Sequence, residues 1–223
     1  MISIIIPVYN EENIIQETLA ALPYKDNLEV IVVDGGSLDR TVEIAKGYPV
    51  KVILGPKNRA LQMNMGAEAA KGEAFLFLHA DCALEAGSLG EIQGYLGNGC
   101  VGGCLRQRIN SGKLIYRAIE ASGNIRARLS KVFYGDQAIF VRRDVFFKVG
   151  GFDNIPIFED IFFSKKLKKA GQTKVLDKKV FVSPRRWEKN GIIKTTFIYW
   201  LLTIGLRLNF SIDTLKRIYY DVR

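Results

Sequence analysis

Apolar runs alternate with polar punctuation through the N-terminal part of the chain, and that rhythm predicts an α/β fold. Residues 2–8 are apolar except for Ser3 and give way to Tyr9-Asn10-Glu11-Glu12. Residues 28–33 and 50–54 are further runs, ended by Asp34-Gly35-Gly36-Ser37 and by Gly55-Pro56. A fourth run, Ala74-Phe75-Leu76-Phe77-Leu78, carries no charge and stops at His79-Ala80-Asp81. Such runs suit strands buried on both faces of a parallel sheet. Between them the period lengthens. Residues 11–22 place Ile14, Ile15, Thr18, Leu19 and Leu22 at helical spacing. Ser37 or Asp39 can cap a helix containing Val42, Ile44 and Ala45, and residues 58–71 are rich in helix formers. The order β-α-β-α-β-α-β predicts a doubly wound half with right-handed crossovers.

The second half is less regular. The glycine-dense stretch 98–109 predicts a strand with close backbone approach or a bulge. A long helix is expected over 114–132, a short strand over 138–141 after Gly135-Asp136-Gln137, and a short helix over 144–149. Phe158-Glu159-Asp160 opens another helix, which Gly171 stops. Residues 175–182 alternate as a strand does. Pro184-Arg185-Arg186-Trp187 and an apolar segment, 192–208, follow. The length fits one domain, or one domain with an extension.

The polar residues that could do chemistry follow the strands: Tyr9 and Glu11, then Asp34, then Asp81. Ligands of open α/β sheets sit beyond the carboxyl ends of the strands, so a nucleotide is expected across these loops. No Gly-x-Gly-x-x-Gly follows the first strand, which argues against an ordinary dinucleotide site. An acid in the position of Asp81 can meet a divalent cation and a phosphate. Each acid also has a plain structural use. Asp81 can cap the next turn, Asp34 can fold the turn before Gly-Gly, and Glu159-Asp160 can favour a helix dipole.

The motifs IIIPVYNEE, VVDGGSLD, FLHAD, GDQAIFVRRDVFFKVGGFD and FEDIFFSKKLKKAG occur in that order, and the resemblance they carry covers roughly residues 2–187. Together they resemble the family 2 glycosyltransferases, in a compact bacterial and archaeal form whose acidic motif reads HAD. The resemblance implies a GT-A fold: a Rossmann-like, doubly wound mixed sheet. It implies inverting transfer from a nucleotide-diphosphate sugar, a UDP-sugar favoured, to an acceptor hydroxyl, with Mg²⁺ or Mn²⁺. It puts Pro7, Tyr9 and Glu11 around the base and ribose, Asp34 on the base with Gly36 and Ser37 in the same turn, and Arg59 at the nucleotide. His79-Ala80-Asp81 matches the Asp-x-Asp motif, with Asp81 on the metal. Histidine stands in for the first acid, and His79 could ligate the metal, meet the ribose or fill a polar gap. Glu159-Asp160 matches the catalytic Glu-Asp pair, with Asp160 as general base and Asp136 next in line. Asp136, Arg185, Arg186 and Trp187 fall on the acceptor or diphosphate side. Arg185-Arg186-Trp187 resembles the end of the Gln-x-x-Arg-Trp motif of processive members but lacks the glutamine. The reaction asks for these groups independently. Charge builds on the leaving phosphate and a cation neutralises it, while an acceptor hydroxyl needs a base within reach.

Charge changes the picture at the C-terminus. The chain carries a formal +9, yet residues 1–164 hold 17 Lys/Arg against 19 Asp/Glu, and residues 165–223 hold 15 against 4. An anionic partner is therefore expected there, a membrane surface or phosphorylated ligand. Nucleic acid would explain the basic tail but not the acidic loops, and is not expected. Residues 195–206 are uncharged between Lys194 and Arg207 and include Phe197, Tyr199 and Trp200. They are too few for the roughly 20 residues that cross a bilayer. We expect domain 1–187 to carry an extension, 188–223, packed on it, in a homodimer interface, or on the membrane beside a lipid-linked acceptor. Cys82, Cys100 and Cys104 with the one histidine make a poor zinc site, and no basic, then apolar, leader precedes the first strand. A cytoplasmic protein, peripheral at the inner face of the membrane, is expected. Two other functions stay open: a sugar-phosphate nucleotidyltransferase, which should carry a Gly-rich basic loop after the first strand, and a non-catalytic nucleotide-sugar binder.

Overall fold

The computed structural model describes residues 1–24 and 28–220; the last three residues of the expected extension, 221–223, lie outside the described residues. Eight strands form one mixed sheet: β1 Ile2–Val8, β2 Leu28–Asp34, β3 Lys51–Leu54, β4 Ala74–Phe77, β5 Cys82–Leu84, β6 Gly102–Ile109, β7 Ile139–Arg142 and β8 Thr173–Val182. Their order is β3-β2-β1-β4-β7-β6-β8-β5. β1 to β4 run parallel, β7 is antiparallel to β4 and β6, β8 is parallel to β6, and β5 is antiparallel to β8. Strands β4 and β8 therefore point the same way. The start of the reversed β7 comes to the end of the sheet where β1, β2, β4 and β8 finish.

Strand parity divides the interior. Ile2, Ile4, Ile6 and Val8 of β1, Val30 and Val32 of β2, and Leu76 of β4 enter one core, with Leu19, Ile92, Tyr116 and Trp187. Ile5, Ile31, Val33, Phe75 and Phe77 enter the opposite core, against Met63, Phe146, Phe152 and Phe163. Successive side chains of a strand point to opposite faces, so an unbroken apolar run requires cover on both. Helices supply it: α1 Ile15–Ala20, α2 Thr41–Lys46, α3 Arg59–Ala69, α4 Ser88–Gly97, α5 Leu114–Ser130, α6 Arg143–Lys148 and α7 Glu159–Ala170. The glycine-dense strand is β6. A Cβ at Gly102 or Gly103 would strike the Phe140 or Lys174 carbonyl, and the ladder to β8 slips between Cys104 and Arg106.

Two local expectations change. The helix expected over 11–22 shrinks to α1, because Glu11 N–H donates to Thr41 Oγ1 and Glu12 N–H to Asp39 Oδ2. Residues 82–84, where Asp81 could have capped a turn, form the edge strand β5.

The C-terminal part comprises α8 Arg185–Asn190, α9 Ile192–Arg207 and α10 Ile212–Tyr220. Helix α8 crosses the expected 187/188 boundary, and the chain breaks at Gly191, whose φ is 88°. Leu202 of α9 and Leu215 of α10 pack on Ile157, just before α7. Among the described residues no helix is long and apolar enough to cross a membrane.

Candidate active site

The loops after β1 and β2 are laced together. Asp34, the last residue of β2 and 1% exposed, accepts from the N–H groups of Gly36 and Ser37 and from the Ser37 hydroxyl. Ser37 Oγ in turn accepts from Asn10 N–H, and Asn10 Oδ1 from Leu38 N–H. Below them Gln62 Nε2 donates to the Val8 and Val33 carbonyls, at 2.8 Å each. Gly36 takes φ 84°, a conformation that favours glycine. Asp34 thus spends three acceptor positions of about four on its own turn, leaving about one for a ligand. Pro7 is paired with Val33 near the end of β1, and the Tyr9 ring carries the Lys57 ammonium 3.8 Å from its centre.

Beyond β4, the Cys82 N–H closes a turn on the His79 carbonyl, and the Asp81 carbonyl accepts from Ser183 N–H. The Asp81 carboxylate faces Arg185 Nε at 3.5 Å. Arg185 also pairs with Glu11, tying the β1 loop to the start of α8. His79 lies against the 3-10 turn Gly135–Gln137. A Cβ at Gly135 would sit 2.6 Å from His79 Nε2 and 3.5 Å from Asp160 Oδ2. The Gly135 N–H donates to Asp160 Oδ2 at 2.6 Å, and Asp160 Oδ1 accepts from Ile161 N–H at 2.7 Å. Phe158, just before this acid pair, adopts φ 68°. A non-glycine residue held there marks strain of the kind found at functional sites.

Burial, reinforced by the Glu159 charge, pushes the Asp160 carboxyl up to about 7, against the Gly135 and Ile161 N–H groups and Arg59. Glu159 is buried and pairs with Arg59 Nη1 at 3.1 Å. Burial opposes the Arg59 charge, but Glu159 and a hydrogen bond to Tyr219 hold the guanidinium firmly protonated. Asp136 accepts from Gln107 Nε2, and burial raises its carboxyl, with the Asp81 charge adding to the effect and Arg126 and Arg186 opposing it. Arg186 donates to the Tyr199 hydroxyl at 3.0 Å and lies near Tyr219 and Arg59. Trp187 is buried edge-to-face between Tyr116 and Tyr199.

All the residues expected at the site therefore meet at one end of the sheet, brought from the ends of β1, β2, β4 and β8, the start of β7 and the starts of α3 and α7. Sequence reasoning missed Gln107, Tyr199 and Tyr219. The two tyrosines sit in helices whose only signal is apolar or amphipathic spacing, and nothing in that spacing says that they reach back to Arg59 and Arg186. Among the described residues no three His, Cys, Asp or Glu side chains gather as a closed metal cage. One hard carboxylate, Asp81, beside the Arg185 guanidinium is still a fitting partial set. Mg²⁺-like ions are commonly held by one or two carboxylates together with substrate phosphates.

Solved structures share this open α/β fold. Staphylococcus aureus TarS, residues 1–349, matches with a TM-score of 0.68 at 17% identity, covering 97% of this chain and 68% of that one. A mannosyltransferase from Pyrobaculum calidifontis, solved with GDP-Man and Mn²⁺, matches with a TM-score of 0.66 at 20% identity, covering 81% and 56%. Both have the GT-A architecture. Residues 3–154 match the Glycosyl transferase family 2 profile, and the chain belongs to that family. Glycosyltransferase AglE of Haloferax volcanii is 32% identical over 190 residues, 76% of this chain and 62% of AglE. A dolichol-phosphate mannosyltransferase of Pyrococcus furiosus is 36% identical over 90 residues, 36% of this chain and 25% of that protein. The chain thus spans less than two thirds of the length of these relatives.

Proposed function

We propose that the protein is an inverting glycosyltransferase that uses a UDP-sugar and a divalent cation. The observation that carries this reading is the meeting of the His79–Asp81 loop with Asp160 across Gly135. One side of that junction suits a leaving diphosphate and the other an incoming hydroxyl. The nucleotide lies over the Asp34–Ser37 turn between Tyr9 and Arg59. TarS has been solved with UDP-GlcNAc, which supports a nucleotide-sugar donor. Asp81 would hold Mg²⁺ or Mn²⁺ together with the diphosphate, and the ion, when bound, neutralises charge on the leaving phosphate. Arg185 and Arg186 face the same charge. Asp160 takes the acceptor proton as the hydroxyl oxygen bonds to the anomeric carbon from the face opposite the departing diphosphate, which inverts that centre. Glu159, locked to Arg59, positions Asp160, and burial together with the Glu159 charge brings the Asp160 proton affinity near neutrality. The acceptor is placed on a lipid, and the chain at the cytoplasmic face of the membrane, a location supported by the excess of Lys/Arg in residues 165–223.

Asp160→Asn tests the reading. It should lower kcat by about 10²- to 10⁴-fold while leaving donor affinity within about threefold. NMR of the wild-type product should show an inverted anomeric centre. Normal turnover by the variant would move the base to Asp136, and retention would reject direct displacement.

A further inference from the structure

Strand β6 loses its β7 neighbour beyond Cys104, and side chains of α5 take over that edge. Asn124 Oδ1 accepts from Gln107 N–H, and its Nδ2 donates to the Gln107 carbonyl. Glu120 Oε1 accepts from Ile109 N–H, and Arg117 Nη2 donates to the Ile109 and Ser111 carbonyls at 2.8 Å each. Between α5 and the β6/β8 ladder these contacts leave a pocket of about 310 Å³. Five cations line it: Arg106 and Arg108 of β6, Lys179 of β8, and Arg117 and Arg128 of α5. Residues 106 and 108 share one face of the strand, and 117, 121, 124 and 128 share one face of the helix, so both elements bring their cations to one space.

The acids around the pocket do not match this charge. Asp177 faces Arg106 at 4.0 Å and Arg128 at 2.8 Å. Glu120 faces Arg108 at 3.3 Å and Arg117 at 2.9 Å, and Glu85 is shared by Lys178 and Lys179. Each acid thus serves two cations. Arg106 and Lys179 are moreover direct partners across the ladder, and like charges side by side on a sheet destabilise it. Arg117 is held by two carbonyls, and the side chain of Asp177 is 75% exposed, free to give way to another anion. Guanidinium forks fixed by their own structure and only half neutralised are suited to phosphate oxygens, which they bind in pairs. The volume suits a small ligand. Charge sums along the chain hide this cluster, because four of its five cations lie in residues 1–164, where acids outnumber bases.

We propose that this pocket binds a phosphoryl group with at least two negative charges, a diphosphate or a phosphomonoester, at a site separate from that of the donor diphosphate. The ligand is held there and no bond in it is made or broken. None of the five cations belongs to the constellation beyond the strand ends, so the site stands whether or not the glycosyltransfer reading does. The phosphoryl group belongs to a small free molecule or to a lipid headgroup, and the same guanidinium forks hold either.

The full chain is titrated with pyrophosphate by calorimetry in EDTA, and saturable binding is expected. Arg106→Gln combined with Arg128→Gln should weaken it at least about tenfold, since two charge-assisted contacts are lost, with the thermal midpoint retained. Arg185→Gln, on the donor side, should change it less than about twofold, as expected for a distant site. Asp177→Asn removes the acid that competes for Arg106 and Arg128 and should tighten pyrophosphate about two- to fivefold. That variant loses only an exposed carboxylate, so it decides the case in which the double variant does not fold. Absence of saturable binding, binding kept by a folded double variant, a loss through Arg185→Gln, or an Asp177→Asn chain that binds no tighter each overturns the site and leaves the arginines as surface ion pairs. Co-sedimentation with phosphatidylcholine vesicles, with and without phosphatidic acid, separates the two sources. Vesicle binding that needs phosphatidic acid and is lost in the double variant assigns the phosphoryl group to a lipid headgroup. Vesicle binding that is absent, or unmoved by the double variant, assigns it to a free molecule.

Discussion

The two sides of the proposed cleft are finished to different degrees. On the donor side, the loops after β1 and β2 satisfy one another: Asp34, Ser37, Asn10, Asp39 and Thr41 form a closed set of hydrogen bonds. On the opposite side, Gln137, Trp187 and Thr196 leave polar atoms without a hydrogen-bond partner among the described residues, and burial makes the charged state of two carboxyls, Asp136 and Asp160, costly. A satisfied frame is rigid before any ligand arrives and fixes where a nucleotide can lie. Strain concentrated where chemistry occurs, and stability stored beside it, is the arrangement expected of an enzyme cleft.

Mutations can pull the two sides apart. The largest effect is expected from Asp81→Ala. Transfer should fall roughly 10³-fold or more, as loss of a metal-held charge worth several kcal/mol implies, and the remaining activity should no longer respond to Mn²⁺ or Mg²⁺. A variant as active as wild type, or wild-type activity indifferent to chelation, would remove the metal role. Gly135→Ala comes next. Its methyl group would press on His79 and crowd Asp160, so kcat should fall about 10- to 100-fold, a displacement of around 1 Å being enough; unchanged kinetics would detach the His79 loop from the base.

The pH profile follows. A base must be unprotonated, so with Asp160 near 7 the wild-type kcat/KM should fall about tenfold per unit below that value and level above it. The same residue gives a stability reading of opposite sign. A carboxyl raised in the folded state favours folding while protonated, and that benefit is lost as pH rises from its unfolded value through about 7. Asp160→Asn should therefore raise stability by up to roughly 4 kcal/mol at pH 8 and hardly at all near pH 4, read as the shift in Tm at each pH. The smallest catalytic effect is expected on the donor side. Asp34→Ala strands three donors and should cost about 1–3 kcal/mol of stability, with nucleotide affinity several-fold weaker and the pH profile unmoved. If the profile moved, the two sides would not be separate.

The strand runs and the polar residues at their ends were legible because burial on both faces admits only apolar side chains, whatever the neighbours. Asp34, Asp81 and Asp160 could be singled out, yet each reading left a plain structural use open. Asp34 partly takes that use, as the cap of its own turn. Asp81 does not, because backbone groups of His79 and Cys82 close the turn instead. The shortening of α1 was not legible, since the groups that capture Glu11 and Glu12, Thr41 and Asp39, lie on another loop. Strand β5 was missed for the same reason: three residues at an edge acquire strand geometry from β8, not from their own sequence.

Sequence alone determined the α/β alternation, the family, the acids at the strand ends and the concentration of positive charge in residues 165–223. These are local or additive properties: hydrophobic period, motif and charge sum survive without knowledge of neighbours. The tertiary structure alone decided that β7 runs against β4, which carries Gly135 to Asp160 and His79. It also decided that Arg59 and Arg186 converge on Tyr219, and that α5 and α9 flank one pocket. Each of these depends on distances between residues far apart in the chain, and such distances are fixed by how buried surfaces fit together, which no local pattern encodes.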